Sequence, residues 1–198
     1  MPKRTNVVVF DFDGTLSASD SNFEFVKYCM KKRPYLYAYL PWIALWAAIS
    51  KFNKAGITWR QQMRHFITKQ MVHDYTPGFV SEHKKRRFGW AAEQVKKEHD
   101  TGNIVILISA SPNYTIPKLV SDMGFDVVLT SQMDSQHPWK YKFLCFGLNK
   151  VIALDYWATQ NKIIPNIVRA YSDSKSDLPL MKLAKDQVWI DRKTGLRK

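Results

Sequence analysis

Val7-Val8-Val9-Phe10-Asp11-Phe12-Asp13-Gly14-Thr15 governs how the rest of the chain is read. Its first four residues are apolar and mostly β-branched, a run too short for a helix, and they predict a buried strand. The strand closes on a carboxylate, and Gly14-Thr15 supplies the turn that stops it. Outward from here the same kind of run recurs. Ile104-Val105-Ile106-Leu107-Ile108 is entered through Gly102-Asn103, and Val127-Val128-Leu129 follows Met123-Gly124-Phe125. Residues 167–171 lead into Ser172-Asp173, and Val188-Trp189-Ile190 comes last. Residues 114–123 and 178–185, between the later runs, read as helical. Continuous apolar strands alternating with helices predict an α/β fold, a doubly wound, mostly parallel, Rossmann-like sheet covered on both faces.

The rhythm breaks once. About ninety residues separate the first strand from the second, too many for a structureless connection. Within them residues 21–32, 35–51, 58–71 and 77–97 read as helical, and the last stretch leads directly into the second strand. The expected organisation is an α/β core of residues 1–16 and 86–198 with a helical cap, residues 17–85, inserted after the first strand. A chain of 198 residues suits a single catalytic domain carrying such an insertion.

Lys and Arg number 30 against 17 Asp and Glu, a net charge of +13 that favours polyanionic partners. No zinc-finger spacing, RNA-recognition signature or long basic helix accompanies it, so no specific nucleic-acid partner is expected. Phosphorylated substrates and an anionic membrane surface remain. Cys29 and Cys145 form neither a disulfide framework nor a metal-ligand pair, which suits a reducing compartment. The first apolar run is short and meets Asp11 and Asp13 at once, unlike a secretory signal. A cytoplasmic protein is expected.

In open parallel sheets ligands bind outside the carboxyl ends of the strands. Asp11 and Asp13 close the first strand, Ser109 closes the second, Asp173 and Asp177 follow the fourth, and Lys150 lies in the helical region between. Four carboxylates, a hydroxyl and one ammonium gathered there make an acidic pocket with a single cation. The carboxylates would raise one another's pKa values. A hard divalent ion with oxygen ligands relieves that repulsion, and Mg2+ suits phosphate chemistry. Blander readings stand beside this one. Asp13-Gly14 is a common turn pair, Ser111-Pro112 could cap a helix, and a lone lysine usually lies at the surface. The five histidines show no metal spacing.

Asp11-Phe12-Asp13-Gly14-Thr15 resembles the first motif of the haloacid dehalogenase superfamily of phosphatases. Ser109 resembles its second, Lys150 its third, and Asp173-Ser174-Lys175-Ser176-Asp177 its fourth, in the family's order. The resemblance implies that Asp11 is the nucleophile of an aspartyl-phosphate intermediate and Asp13 the acid and base that serves it. It implies Mg2+ held by Asp11, the Asp13 backbone carbonyl and Asp173, with Asp177 supporting bound waters. Ser109, Ala110 and Lys150 would bind the phosphoryl oxygens together with Asp11. Asp20 stands where phosphoserine phosphatases of this superfamily carry a substrate-reading glutamate, so it is a candidate substrate contact. It is one methylene shorter, Gly14 replaces a common serine, and no cap arginine matches the carboxylate ligand of those enzymes.

Residues 34–50 carry no charge, with Lys31-Lys32-Arg33 before them and Lys51 and Lys54 after. As a helix they would reach about 25 Å, slightly short of a hydrocarbon core. Pro41 interrupts them, and Tyr and Trp favour membrane interfaces. A span, a helix or hairpin lying in the interface and a buried cap helix all stay open, the interfacial form being favoured. This stretch, Ser109-Ala110-Ser111-Pro112, Cys145-Phe146-Gly147-Leu148-Asn149-Lys150 and Tyr171-Ser172-Asp173-Ser174 are similar to bacterial phosphatidylglycerophosphatases, which dephosphorylate phosphatidylglycerophosphate at the inner membrane. That resemblance implies an anionic lipid phosphate as substrate and a peripheral position on the cytoplasmic face of that membrane. The alternatives are a soluble phosphomonoesterase of a small metabolite and a non-catalytic membrane-surface or nucleic-acid-binding module.

Overall fold

A computed structural model describes residues 2–53 and 60–198. Six strands, β1 (Lys3–Phe10), β2 (Ile104–Pro112), β3 (Val127–Met133), β4 (Tyr141–Phe143), β5 (Ile163–Ser172) and β6 (Asp186–Trp189), form one sheet in the order β4-β3-β2-β1-β5-β6. All pairs are parallel except β3–β4. β1 lies between β2 and β5, with Phe10 level with Leu107 on one side and Tyr171 on the other. Side chains alternate across the sheet. Val8 and Phe10 therefore enter the core on one face with Val105 and Leu107, while Val7 and Val9 enter the other with Ile106 and Ile108. This two-sided burial explains the unbroken apolar run. β4 has no such run, being three residues at the edge, and its pattern did not announce it.

The helices are α1 (Ser21–Lys32), α2 (Leu40–Asn53), α3 (Lys69–His83), α4 (Ala91–Asp100), α5 (Ile116–Leu119), α6 (Leu148–Gln160) and α7 (Leu178–Met181). The helices expected over 114–123 and 178–185 contract to about one turn each, with a proline in the first turn of both. Such short segments present no amphipathic face long enough to sustain a helix.

Between β1 and β2 the expected helices are partly redrawn. α1 is as expected, and the Asp20 carboxylate caps it by accepting the Phe23 N–H at 3.0 Å. Residues 35–51 split into a 3-10 turn, Pro34–Tyr39, and α2, with Pro41 in the first turn of α2 where its missing N–H costs nothing. Of the helix expected over 58–71, residues 58 and 59 lie outside the described residues. Residues 60–62 are helical, turns follow at residues 63–66, and Thr68 caps the new helix α3 by accepting the Met71 N–H. Residues 77–97 are two helices. Pro77 lies within α3 on its exposed side, where the carbonyl it leaves unpaired can meet water, and the chain turns at residues 87–90 before α4. α1 and α3 pack through Phe25 and Phe79, whose ring centroids lie 5.1 Å apart edge to face. Gly78 permits the approach, since a Cβ there would stand 2.3 Å from the Tyr28 hydroxyl oxygen.

Among the described residues no helix is long and apolar enough to cross a membrane, which removes the spanning reading for them. Leu36 and Ile43 are buried, whereas Tyr35, Tyr37, Tyr39, Leu40, Trp42 and Leu45 are exposed, Tyr35 to 63% and Leu45 to 53%. The buried-helix reading thus applies to these two side chains and in part to the half-buried Trp46 and Ile49, while the other large side chains turn outward.

Candidate active site

β1 delivers Asp11 to the carboxyl edge of the sheet, where its N–H donates to the Tyr171 carbonyl at 3.0 Å. Beyond it the chain turns through Gly14 at φ +83°, and a Cβ on Gly14 would come within 2.3 Å of Asp173 Oδ2. Glycine is therefore required twice over, for the left-handed backbone and for the close approach of the loop after β5. Thr15 ties these loops together. Its hydroxyl donates to Asp11 Oδ2 at 3.2 Å and accepts the Asp173 N–H at 3.0 Å.

Lys150, in the first turn of α6, is buried and donates to Asp11 Oδ1 and Asp177 Oδ2, each at 2.7 Å. Burial alone would lower its pKa, but the two carboxylates outweigh that and hold it above the ordinary lysine value, fully charged. Asp177 also accepts the Ser172 hydroxyl at 2.8 Å. Desolvation raises Asp11 to about 6 despite Lys150, so it is ionised at neutral pH. Asp13 sits differently. It accepts the Ser21 N–H at 2.6 Å and the Ser111 hydroxyl at 2.5 Å, and no cation pairs with it among the described residues. Desolvation, then the nearby Asp20 carboxylate, lifts it to about 7 against those two donors. Both aspartates are thus raised, Asp13 further than Asp11, with Asp11 set against a cation and Asp13 against two hydrogen-bond donors, the kind of unequal setting that separates an acid from a nucleophile. Burial likewise raises Asp173, opposed by the Arg192 guanidinium, whose Nε lies 3.6 Å away.

Asp11, Asp13, Asp20, Ala110, Lys150, Asp173 and Asp177 line one cavity of about 150 Å³, with Ser111, Arg60 and Arg192 among its other walls. Ser109 lies just behind. Its side chain is fully buried and its hydroxyl accepts the Ser111 N–H at 3.1 Å. Ser111 and Pro112 close β2 and cap no helix, and α5 starts four residues after Pro112. Of the two readings open for Ser111, helix cap or ligand, the cap is excluded and its hydroxyl instead meets Asp13, while Thr15 had no individual role assigned from sequence. Arg60 and Arg192 had no local signal at all.

The expected metal ligands fit a hard cation in kind. Asp11, Asp173 and the Asp13 carbonyl offer oxygen alone, and burial raises both carboxylates despite the cations beside them. This set has two side-chain ligands, in keeping with the observation that no group of three or more His, Cys, Asp or Glu side chains is disposed to hold a metal among the described residues.

Residues 8–182 match the model of the haloacid dehalogenase-like hydrolases. A "Probable phosphatase" of Mycobacterium tuberculosis is 24% identical over 135 residues, which cover 67% of this chain and 45% of that protein. The chain thus spans less than half the length of the curated relative it matches. Among solved structures, a Bordetella pertussis protein of unknown function superposes with a TM-score of 0.78 at 14% identity, covering 95% of this chain and 91% of the other. A phosphoserine phosphatase solved as a phospho-aspartyl intermediate analogue gives 0.62 at 18% identity, covering 95% and 87%. At these identities the two structures establish the shared fold.

Proposed function

We propose that this chain, which belongs to the haloacid dehalogenase-like hydrolase family and is a phosphoric monoester hydrolase, works through Asp11 as nucleophile and Asp13 as acid and base. The observation that carries this reading is the unequal setting of the two aspartates, Asp11 against Lys150 and Asp13 between Ser111 and the Ser21 N–H. An Asp11 oxygen attacks phosphorus, the bond to the leaving oxygen breaks, and Asp13 gives that oxygen its proton. Asp13, now a carboxylate, takes a proton from the water that attacks the aspartyl-phosphate. The bond from phosphorus to Asp11 then breaks, releasing inorganic phosphate. Lys150, with the backbone of Ala110 and the Ser109 turn, holds the phosphoryl oxygens and offsets their charge. Mg2+, carried by Asp11, Asp173 and the Asp13 carbonyl with Asp177 behind them, would supply Lewis-acid neutralisation of the phosphoryl group. Residues 17–85 act as the cap, from which Asp20 faces the site.

The outward apolar face of residues 35–45 supports a finer reading, that the substrate is an anionic lipid phosphate such as phosphatidylglycerophosphate met at a membrane surface. Exposed Tyr and Trp beside the exposed Lys27, Lys31 and Lys32 make the combination that lies in a headgroup region. The test is Mg2+-dependent phosphate release from phosphatidylglycerophosphate in mixed micelles, with Asp11→Asn as blank. Turnover abolished by the substitution and by chelator is the expected result. Turnover of soluble esters alone would move the substrate to small metabolites, and full activity of Asp11→Asn would remove the aspartate mechanism.

A further inference from the structure

A second cavity lies away from the carboxyl edge, on the face of the sheet that carries Val8 and Phe10, between α4 and the turn after β6. Its volume is about 450 Å³, and it shares no lining residue with the catalytic cavity. Small-molecule sites fall in the range of roughly 300–1,000 Å³. The apolar wall is Trp90, Tyr171, Val188, Ile190 and Leu196. This wall is held in place from behind. Trp90 stacks on Phe88 with 7° between the rings, and Gly195 brings the turn so close that a Cβ there would stand 2.5 Å from the Phe88 ring.

The polar groups of this cavity are out of balance in one direction. Arg169 spans Glu98 and Asp186, at 2.5 and 2.7 Å, and Arg197 shares Asp186 at 3.2 Å. Lys97, which also lines the cavity, makes no ion pair among the described residues. Three cations thus meet two carboxylates, an excess of one positive charge. Trp90 adds a donor. Its Nε1–H is shielded from solvent and has no acceptor among the described residues, although a buried indole N–H usually finds one.

We propose that this cavity is a second ligand site, one that takes an aromatic monocarboxylate. Its flat ring packs against Trp90, Val188 and Ile190. Its carboxylate supplies the acceptor that Trp90 Nε1–H lacks and the counter-charge for Lys97 and Arg197. A single excess charge matches a monoanion and disfavours a phosphate dianion, which separates this ligand from the phosphate esters of the catalytic cavity.

The test titrates the full chain with indole-3-acetate and with benzoate. Binding is followed through the Trp90 indole N–H resonance in proton–nitrogen correlation spectra, which Trp90→Phe identifies. A saturable shift is expected from at least one of the two. The amide of that acid, with the same ring and no charge, should bind about tenfold more weakly, and acetate, with the charge and no ring, should give no shift. Lys97→Gln and Arg197→Gln alter exposed side chains outside the catalytic machinery. Each should weaken the carboxylate about five- to tenfold with the rest of the spectrum native. No saturable shift with either acid, equal binding of acid and amide, or native affinity in both variants overturns the site. Shifts confined to other indoles, such as that of the exposed Trp42, overturn it too. Phosphatase activity has no part in the readout, so the site stands or falls independently of the catalytic reading.

Discussion

The carboxyl edge of the sheet and the outer face of the inserted helices are built on opposite rules. At the edge the reacting carboxylates are each held by a hydrogen-bond or ionic partner. Lys150 bridges Asp11 and Asp177, Thr15 ties Asp11 to the loop of Asp173, and Ser111 fixes Asp13. On the outer face Tyr35, Tyr37, Trp42 and Leu45 project into solvent over a layer anchored by Leu36 and Ile43. The first region places reacting atoms and tolerates little change. The second presents a surface whose contacts beneath are few, among them Trp42 on Trp46 and Gln62 and Tyr39 on Phe66.

The largest expected effect falls on the edge. Asp11→Asn should reduce kcat on the order of 10⁶-fold, as loss of a nucleophile does elsewhere, while far-ultraviolet circular dichroism stays native. Lys150→Ala should come next. It leaves two buried carboxylates without their cation, so chemical denaturation should show a loss of about 3–5 kcal/mol together with loss of activity. A loss near zero would mean that the bridge is not a structural element. The outer face should respond in the opposite sense. The triple substitution Tyr37→Ser, Trp42→Ser, Leu45→Ser should weaken co-sedimentation with anionic vesicles by roughly tenfold or more and shift stability by no more than about 0.5 kcal/mol per site. Large destabilisation with unchanged vesicle binding would erase the contrast between the regions.

The smallest effect joins them. Asp20 belongs to the cap of α1 yet raises the pKa of Asp13. Asp13 must be protonated to donate, so kcat/KM should fall as pH rises through about 7. Asp20→Asn removes a charge that raises this pKa, so the alkaline limb should move to lower pH, by less than about one unit for a partly solvated neighbour. An unmoved limb in the pH–rate profile would assign that limb to another group.

Much of the edge was legible because it is local. An apolar run ending in Asp-x-Asp-Gly-Thr states strand, turn and carboxylates within nine residues, and parallel pairing brings the ends of β1, β2 and β5 to one side. The inserted helices were legible in kind and blurred in boundary. α1 declared its start through the Asp20 cap, but Pro77 reads as a break and is accommodated on the exposed side of α3. The chain turns instead at residues 87–90, near a glycine that periodicity alone did not weigh. The edge strand β4 escaped notice because it borrows its place from β3 and buries no continuous run of its own.

By itself the sequence determined the α/β architecture, the carboxylates at the strand ends and the existence of an uncharged aromatic stretch, since each depends on the order of neighbouring side chains. Only the tertiary structure decided which hydroxyl holds Asp13, that Arg60 and Arg192 line one cavity, and that most large side chains of the aromatic stretch turn outward. Those outcomes depend on distances between residues such as Arg60 and Arg192, 132 positions apart in the chain. Packing sets such distances, and no local pattern encodes them.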